Sequence, residues 1–179
     1  AGPANKQGRI AADNICGGNS RFHGSQGSSV LKLFGLTAAS TGINEKAAQA
    51  AGITYDKVVL FPASHATYYP GAQSMAMKVL YEKESLRLLG AQIVGGDGVD
   101  KRIDVLATAI RAKMTALELT ELDLSYAPPY SSAKDPVNMA GFMIEDLESE
   151  KVRQFHWNEV EDLPCDGSAT LLDVRTAWE

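Results

Sequence analysis

The sequence predicts an α+β fold, an antiparallel sheet with helices packed on one face. Strand-like segments follow one another through short charged turns, which suits antiparallel neighbours, and the helical patterns gather mainly after them. The clearest helix supplies a third observation. Ile103, Leu106, Ala107, Ile110 and Met114 recur at i, i+3, i+4, i+7 and i+11, the single broad apolar face of a helix laid on a sheet.

Taken in order, residues 3–15 (PANKQGRIAADNI) read as a short helix entered through Pro3 and ended by Gly17-Gly18. A helix start offers unpaired N–H groups and partial positive charge, which suit an anion or a polar ligand edge, although most helix starts bind only water. Residues 28–37 (SSVLKLFGLT) alternate as one strand, with Val30, Lys32 and Phe34 opposite Leu31 and Leu33. Asn44 caps a helix bearing Ala47, Ala48 and Ala51, and Gly52 stops it. Residues 55–63 form an apolar strand ended by Pro62, and residues 75–82 and 86–95 form a hairpin across a charged turn. Thr115 to Glu118 fits a capping box for a short helix. The connector at residues 125–138 (SYAPPYSSAKDPVN) then joins it to a last helix. Pro128 and Pro129 stiffen this connector and bias Tyr126 and Ala127 to extended geometry, while Asp135-Pro136 reads as a cap and first helical position.

Charge is unevenly spread. Residues 1–143 hold 14 Lys/Arg and 12 Asp/Glu, whereas residues 144–179 hold 3 and 10. Neither part has the basic stripe that nucleic-acid binding needs, so no nucleic-acid partner is expected. No apolar run is long enough to cross a bilayer, so no membrane partner is expected either. Cys16 and Cys165 are too far apart to form a metal or redox motif by spacing, which points to a reducing cytoplasm. The opening Ala1-Gly2-Pro3-Ala4-Asn5 has neither an initiator Met nor an apolar leader, so the chain is expected to be a piece of a longer polypeptide.

The residues with chemistry on offer lie in two loops. His65, Tyr68 and Tyr69 follow a strand, and Tyr126, Tyr130 and Lys134 sit on the stiff connector. Phenols can donate hydrogen bonds to a bound group, and an imidazole titrates near neutrality. Each has a bland reading as well: a rigid helix–helix linker, a loop rim, a solvated histidine. Gly95-Gly96-Asp97-Gly98 does not fit a dinucleotide fingerprint and reads as a turn. No catalytic triad, carboxylate pair or metal cluster is legible, so the residues alone describe a non-catalytic domain with a tyrosine-rich surface.

Three stretches resemble one family. AGPANKQGRIAADNI looks like the end of the flavin domain of pyridine nucleotide–disulfide oxidoreductases. The body from about Ser25 to Ile144, including GVDKRID at 98–104, is similar to that family's dimerisation domain. HATYYPG and SYAPPYSSAKDPVN resemble its coenzyme A-disulfide reductase and NADH oxidase branch, and Ala169-Thr170-Leu171-Leu172-Asp173-Val174-Arg175 resembles the opening of a rhodanese domain. The implied division is residues 1–22 ending a flavin domain, 23–148 for dimerisation, 149–168 an acidic linker, and 169–179 a truncated rhodanese start.

The resemblance implies a homodimer in which this domain covers the partner's active site. Tyr126 and Tyr69 would be catalytic, facing the partner's redox cysteine, with Tyr68 as the competing register. Asn5, Arg9, Tyr68 and Lys134 would bind a small-molecule disulfide or thiol substrate carrying coenzyme A. Gly2, Pro3, Ala4 and His65 would approach the flavin. FAD and NAD(P)H belong to the parent protein and neither is held fully here. The redox cysteine, the glycine-rich flavin fingerprint and the nicotinamide domain are absent from these residues, so this piece alone is not expected to turn over. An NADH oxidase of the same family, or a non-catalytic binding or scaffold module, is the alternative.

Overall fold

The structure, a computed structural model, describes residues 2–170 and 172–174. The chain divides into two compact units, Ala1–Glu145 and Asp146–Glu179, each described by itself. In the first, α1 (Gly2–Ile15) is followed by β1 (Ser29–Leu33), β2 (Leu36–Gly42), α2 (Glu45–Ala50), β3 (Tyr55–Leu60), β4 (Met75–Glu82), β5 (Leu88–Gly95) and α3 (Val99–Ala112). A 3-10 turn (Leu117–Glu121) then leads to the connector and α4 (Pro136–Glu148).

The five strands form one sheet in the order β1-β2-β5-β4-β3, every neighbour antiparallel. Alternation decides which face is buried. Val58, Met77, Val79, Ala91 and Ile93 point inward, with Val58 opposite Val79 and Met77 opposite Ile93. Ile103 and Leu106 of α3 and Val137, Ala140 and Ile144 of α4 complete this core. α3 packs on β2 and β5. At Gly141 an added Cβ would lie 3.0 Å from Leu119 Cβ, so a glycine lets α4 approach the 3-10 turn closely. Asn138 crosses the same contact, its Nδ2 donating to the carbonyls of Leu119 (2.9 Å) and Leu122 (3.0 Å).

The expected α+β architecture is the observed one. Local signals acted where they were read. Asn44 Oδ1 accepts from Ala47 N at 2.9 Å, and Glu118 and Thr115 exchange the bonds of a capping box. On α2, Glu45 pairs with Lys57 (2.5 Å) and Lys78 (2.7 Å) across the two strands beneath it. Partial burial pushes its carboxyl up, but the two ammonium groups outweigh that and hold it at about 2.

One expectation is corrected. Residues 28–37 are not one strand: Phe34 and Gly35 turn the chain, and Leu33 faces Leu36 across a hairpin. Phe34 takes φ +51°, a left-handed conformation that an aromatic residue seldom adopts, and its ring is solvent-exposed. The turn carries none of the Asn-Gly or Asp-Gly chemistry that marks such hairpins, so alternation ran through it unbroken.

In the second unit, residues Trp157–Asp162 form a 3-10 turn, with Glu159 accepting from the His156 amide at 2.7 Å. The rhodanese-like stretch from Ala169 to Arg175 falls partly outside the described residues, since Leu171 and residues 175–179 lie beyond them. No helix among the described residues is long and apolar enough to cross a membrane.

Candidate functional site: two tyrosine loops on a buried arginine

The first loop, residues 61–74, leaves β3 and returns into β4. It is pinched at its base: Ala63 bridges Ser74, Ser64 N donates to Gln73 O (2.8 Å), and Met75 N donates to Pro62 O (3.0 Å). Just past β5, a Cβ on Gly96 would fall 1.5 Å from Gln73 Oε1, so the Gln73 side chain rests against this glycine. The second loop is the connector. Tyr130 N and Ser131 N both donate to Ala127 O, at 2.9 and 3.1 Å, winding the chain immediately after its extended start.

Between these loops lies Arg102, 1% exposed. Its Nη2 donates to Ser64 O (2.8 Å) in the first loop and to Tyr130 O (3.3 Å) in the second. Its Nη1 donates to Gly98 O at 3.1 Å. Nε and Nη2 grip Asp135, with Nη2 2.9 Å from Oδ2. Asp135 caps α4 through Val137 N (3.0 Å) and accepts from Ser131 Oγ (2.7 Å). Burial alone would push its carboxyl up. The Arg102 guanidinium, the Val137 amide and the Ser131 hydroxyl outweigh that and hold it below the ordinary carboxylate range. Among the described residues no buried side-chain N or O lacks a partner, as a polar cluster this deep requires.

Gly98 is fitted to this arginine in two ways. It takes φ +69° at the start of α3, and a Cβ there would sit 2.1 Å from Arg102 Nη1. Gly98→Ala is therefore expected to cost about 1–3 kcal/mol, the range for backbone strain held at one residue. A shift of the urea midpoint by less than the experimental scatter would show that a side chain at this position meets neither backbone strain nor an obstructing arginine.

The hub brings the phenols of the two loops together. Tyr68 OH lies 3.0 Å from Tyr126 OH, and the two side chains are 75% and 50% exposed. The hydrogen bond with Tyr68, aided by desolvation, raises the Tyr126 hydroxyl above the usual phenol range. Tyr69 does not join this pair. It packs edge-on against His65, centroids 5.7 Å apart at 78°. His65 is buried behind it, with Nδ1 3.1 Å from the carbonyl of Ala66, so this nitrogen carries the proton. Lys134 holds its ammonium 5.9 Å from the Phe142 ring.

The remaining expected site residues lie elsewhere. Gly2, Pro3 and Arg9 line a separate groove of about 850 Å³ between α1, residues 21–28 and α3, which Lys6, Arg21 and Arg111 make basic. Asn5 and Ala4, exposed on α1, do not line it. No group of three His, Cys, Asp or Glu among the described residues could hold a metal, and Cys16 and Cys165 are free and exposed.

Arg102 was missed as a site residue, yet its position in the sequence carried a signal. Val99, Arg102, Ile103, Leu106 and Ala109 are the buried residues of α3, so the arginine falls on the apolar stripe. A charge at such a position must find partners, and Asp135 was already legible as a cap.

A sequence profile described as "Pyridine nucleotide-disulphide oxidoreductase, dimerisation domain" matches residues 29–136. A coenzyme A disulfide reductase of Staphylococcus haemolyticus is 41% identical over 145 residues, 80% of this chain and 32% of its own length. Among solved structures, reduced Bacillus anthracis CoADR-RHD is 49% identical with TM-score 0.85, covering 89% of this chain and 29% of that one. A NAD-dependent persulfide reductase from A. fulgidus is 44% identical with TM-score 0.84, covering 88% and 29%. The chain thus spans about a third of the length of these relatives.

Proposed function

This chain belongs to the pyridine nucleotide-disulphide oxidoreductase dimerisation-domain family, and from that membership we propose its role in a larger enzyme. It is the dimerising, active-site-completing portion of an FAD-dependent, NAD(P)H-dependent reductase of coenzyme A disulfide or a persulfide. The observation that carries this reading is the solvent-facing pair Tyr68–Tyr126, presented by two loops that a buried ion pair locks together. Exposed phenols on a rigid support are poorly explained as packing and well explained as contacts to a second subunit.

In this reading two copies associate about a two-fold axis, and each lends Tyr126 and Tyr69 to its partner's thiol centre. A thiol leaves as a thiolate with an ordinary pKa of about 8.5, below the roughly 10 of a phenol. Tyr126, raised further by Tyr68, stays protonated at neutral pH. In the presence of a leaving sulfur its one O–H turns to the thiolate while Tyr68 donates to the Tyr126 oxygen, so Tyr126 stabilises the sulfur by a hydrogen bond rather than by giving up its proton. Tyr68 orients Tyr126. Lys134, Asn5 and Arg9 are assigned to the phosphates of a coenzyme A moiety, for which two cations and an amide are suitable donors.

The family implies FAD, and the residues present fit one edge of it. The first turn of α1 holds no acidic side chain, so its free N–H groups at Gly2 and Ala4 and its positive end suit an electron-rich ring edge. His65 is assigned to the flavin side of the first loop. FAD, when bound, supplies electron transfer from the nicotinamide to the disulfide; the present residues supply the cover and the hydrogen-bond donors. The acidic segment and the residues after 168 are proposed to lead into a rhodanese domain.

Sedimentation equilibrium of the 179-residue chain tests the association directly. A dimer at tens of micromolar, the range in which moderate homodimer contacts persist, is the expected result. A monomer throughout would favour a binding or scaffold module instead.

A further inference from the structure

We infer that Arg102 is a positioning residue for the two phenols, holding the first loop and the connector at the spacing at which Tyr68 meets Tyr126. The inference rests on the reading of those phenols given above. Four segments converge on one guanidinium: the turn at Gly98, the first loop at Ser64, the connector at Tyr130 and Ser131, and the α4 cap at Asp135. Ser64 lies four residues before Tyr68, and Tyr130 four residues after Tyr126. Both carbonyls that Nη2 reaches are thus in the phenol-bearing loops.

A purely structural account would leave this choice of residue unexplained. Buried ion pairs contribute weakly to stability, and well-packed apolar replacements of similar volume often match or exceed them. What a guanidinium supplies and an alkyl chain cannot is a planar set of donors that fixes several acceptors in one relative geometry. The phenols need such a support. Tyr68 and Tyr126 are too exposed to be fixed by packing, and the loops otherwise share the bond from Ala66 N to Ser131 O at 3.1 Å. One amide bond leaves a hinge; the arginine closes it.

The test uses Arg102→Lys, which keeps the charge but not the fork, and the double variant Arg102→Met/Asp135→Asn, which removes the pair without stranding a buried charge, since Lys101, 3.7 Å from Asp135, is partly exposed. Tyr68→Phe gives the reference. In the 179-residue chain, NMR with label at tyrosine Cζ follows the ionisation of Tyr126. Tyr68→Phe lowers the ionisation of that hydroxyl toward the ordinary phenol range. Both arginine variants are expected to do the same while unfolding cooperatively and keeping the circular dichroism of the sheet. In a polypeptide joining this chain to its flavin and nicotinamide domains, Arg102→Lys is expected to lower kcat by the same factor as Tyr68→Phe. Combining the two should add nothing, since both act through Tyr126.

Tyr126 titrating as in the wild type in either folded arginine variant would overturn the inference. So would loss of cooperative unfolding in both, because Arg102 would then be needed for folding rather than for alignment. Failure of the functional reading looks different: Tyr126 ionisation shifts as expected, but Tyr126→Phe leaves turnover untouched.

Discussion

Asp135→Ala is expected to cost about 3–5 kcal/mol of folding stability, the range for stripping one partner from a buried ion pair. The substitution leaves Arg102 charged and 1% exposed without its carboxylate, removes the α4 cap at Val137 N, and frees Ser131 Oγ. Against a total stability of about 5–15 kcal/mol, such a loss can consume half of what holds a domain of this size. The effect has a defined pH dependence. The folded-state carboxyl of Asp135 is held below its unfolded value, so its contribution is fully present above about pH 4 and is lost as pH falls through the folded value. Urea unfolding of wild type and variant should therefore differ most at neutral pH and converge on acidification. A gap below about 1 kcal/mol at pH 7 would fall in the range of exposed ion pairs and contradict the buried hub.

Tyr126→Phe, placed in a complete reductase, is expected to lower kcat for thiol release about 10- to 150-fold. The figure follows from a hydrogen bond to a charged group, worth about 1.5–3 kcal/mol, with a factor of ten in rate for each 1.36 kcal/mol. KM for the disulfide should change little, since a neutral disulfide sulfur accepts weakly and the bond strengthens only as thiolate charge develops. Tyr68→Phe, which removes the partner that raises the Tyr126 hydroxyl, should lower the rate by less. Tyr69→Phe tests the second phenol separately, because Tyr69 packs on His65 and stands outside the pair. Steady-state rates with the disulfide as the varied substrate check all three. Unchanged kcat in both Tyr126→Phe and Tyr69→Phe would remove the catalytic role assigned to this surface.

Much of the scaffold was legible because its signals are local. Asn44 caps α2, and the Asp135-Pro136 step opens α4, each by chemistry confined to one turn. The apolar spacing Ile103, Leu106, Ala107, Ile110 and Met114 marked α3 as a helix laid on the sheet, although the buried stripe is Val99, Arg102, Ile103, Leu106 and Ala109 and Met114 falls beyond the helix end. What escaped depends on residues distant in sequence. Phe34 turns a hairpin against its own preference because pairing of β1 with β2 imposes it. Arg102 reaches Ser64 and Asp135 across 38 and 33 residues, and only the folded chain brings them within bonding distance. The tandem tyrosines show the limit most plainly. Sequence placed both on one loop, but only the geometry of that loop assigns Tyr68 to Tyr126 and Tyr69 to His65.

The measurement closest to the central claim is subunit complementation. A protomer carrying Tyr126→Phe, slowed about 10- to 150-fold as its own homodimer, is mixed and refolded with one whose redox cysteine is replaced by Ser, which is inactive as its own homodimer. If the phenol acts across the two-fold axis, each heterodimer regains one intact site, so random pairing restores about a quarter of wild-type activity. If activity stays at the level of the separate parents although heterodimers form, the phenol serves its own subunit, and the account of this chain as a cover for its partner is contradicted.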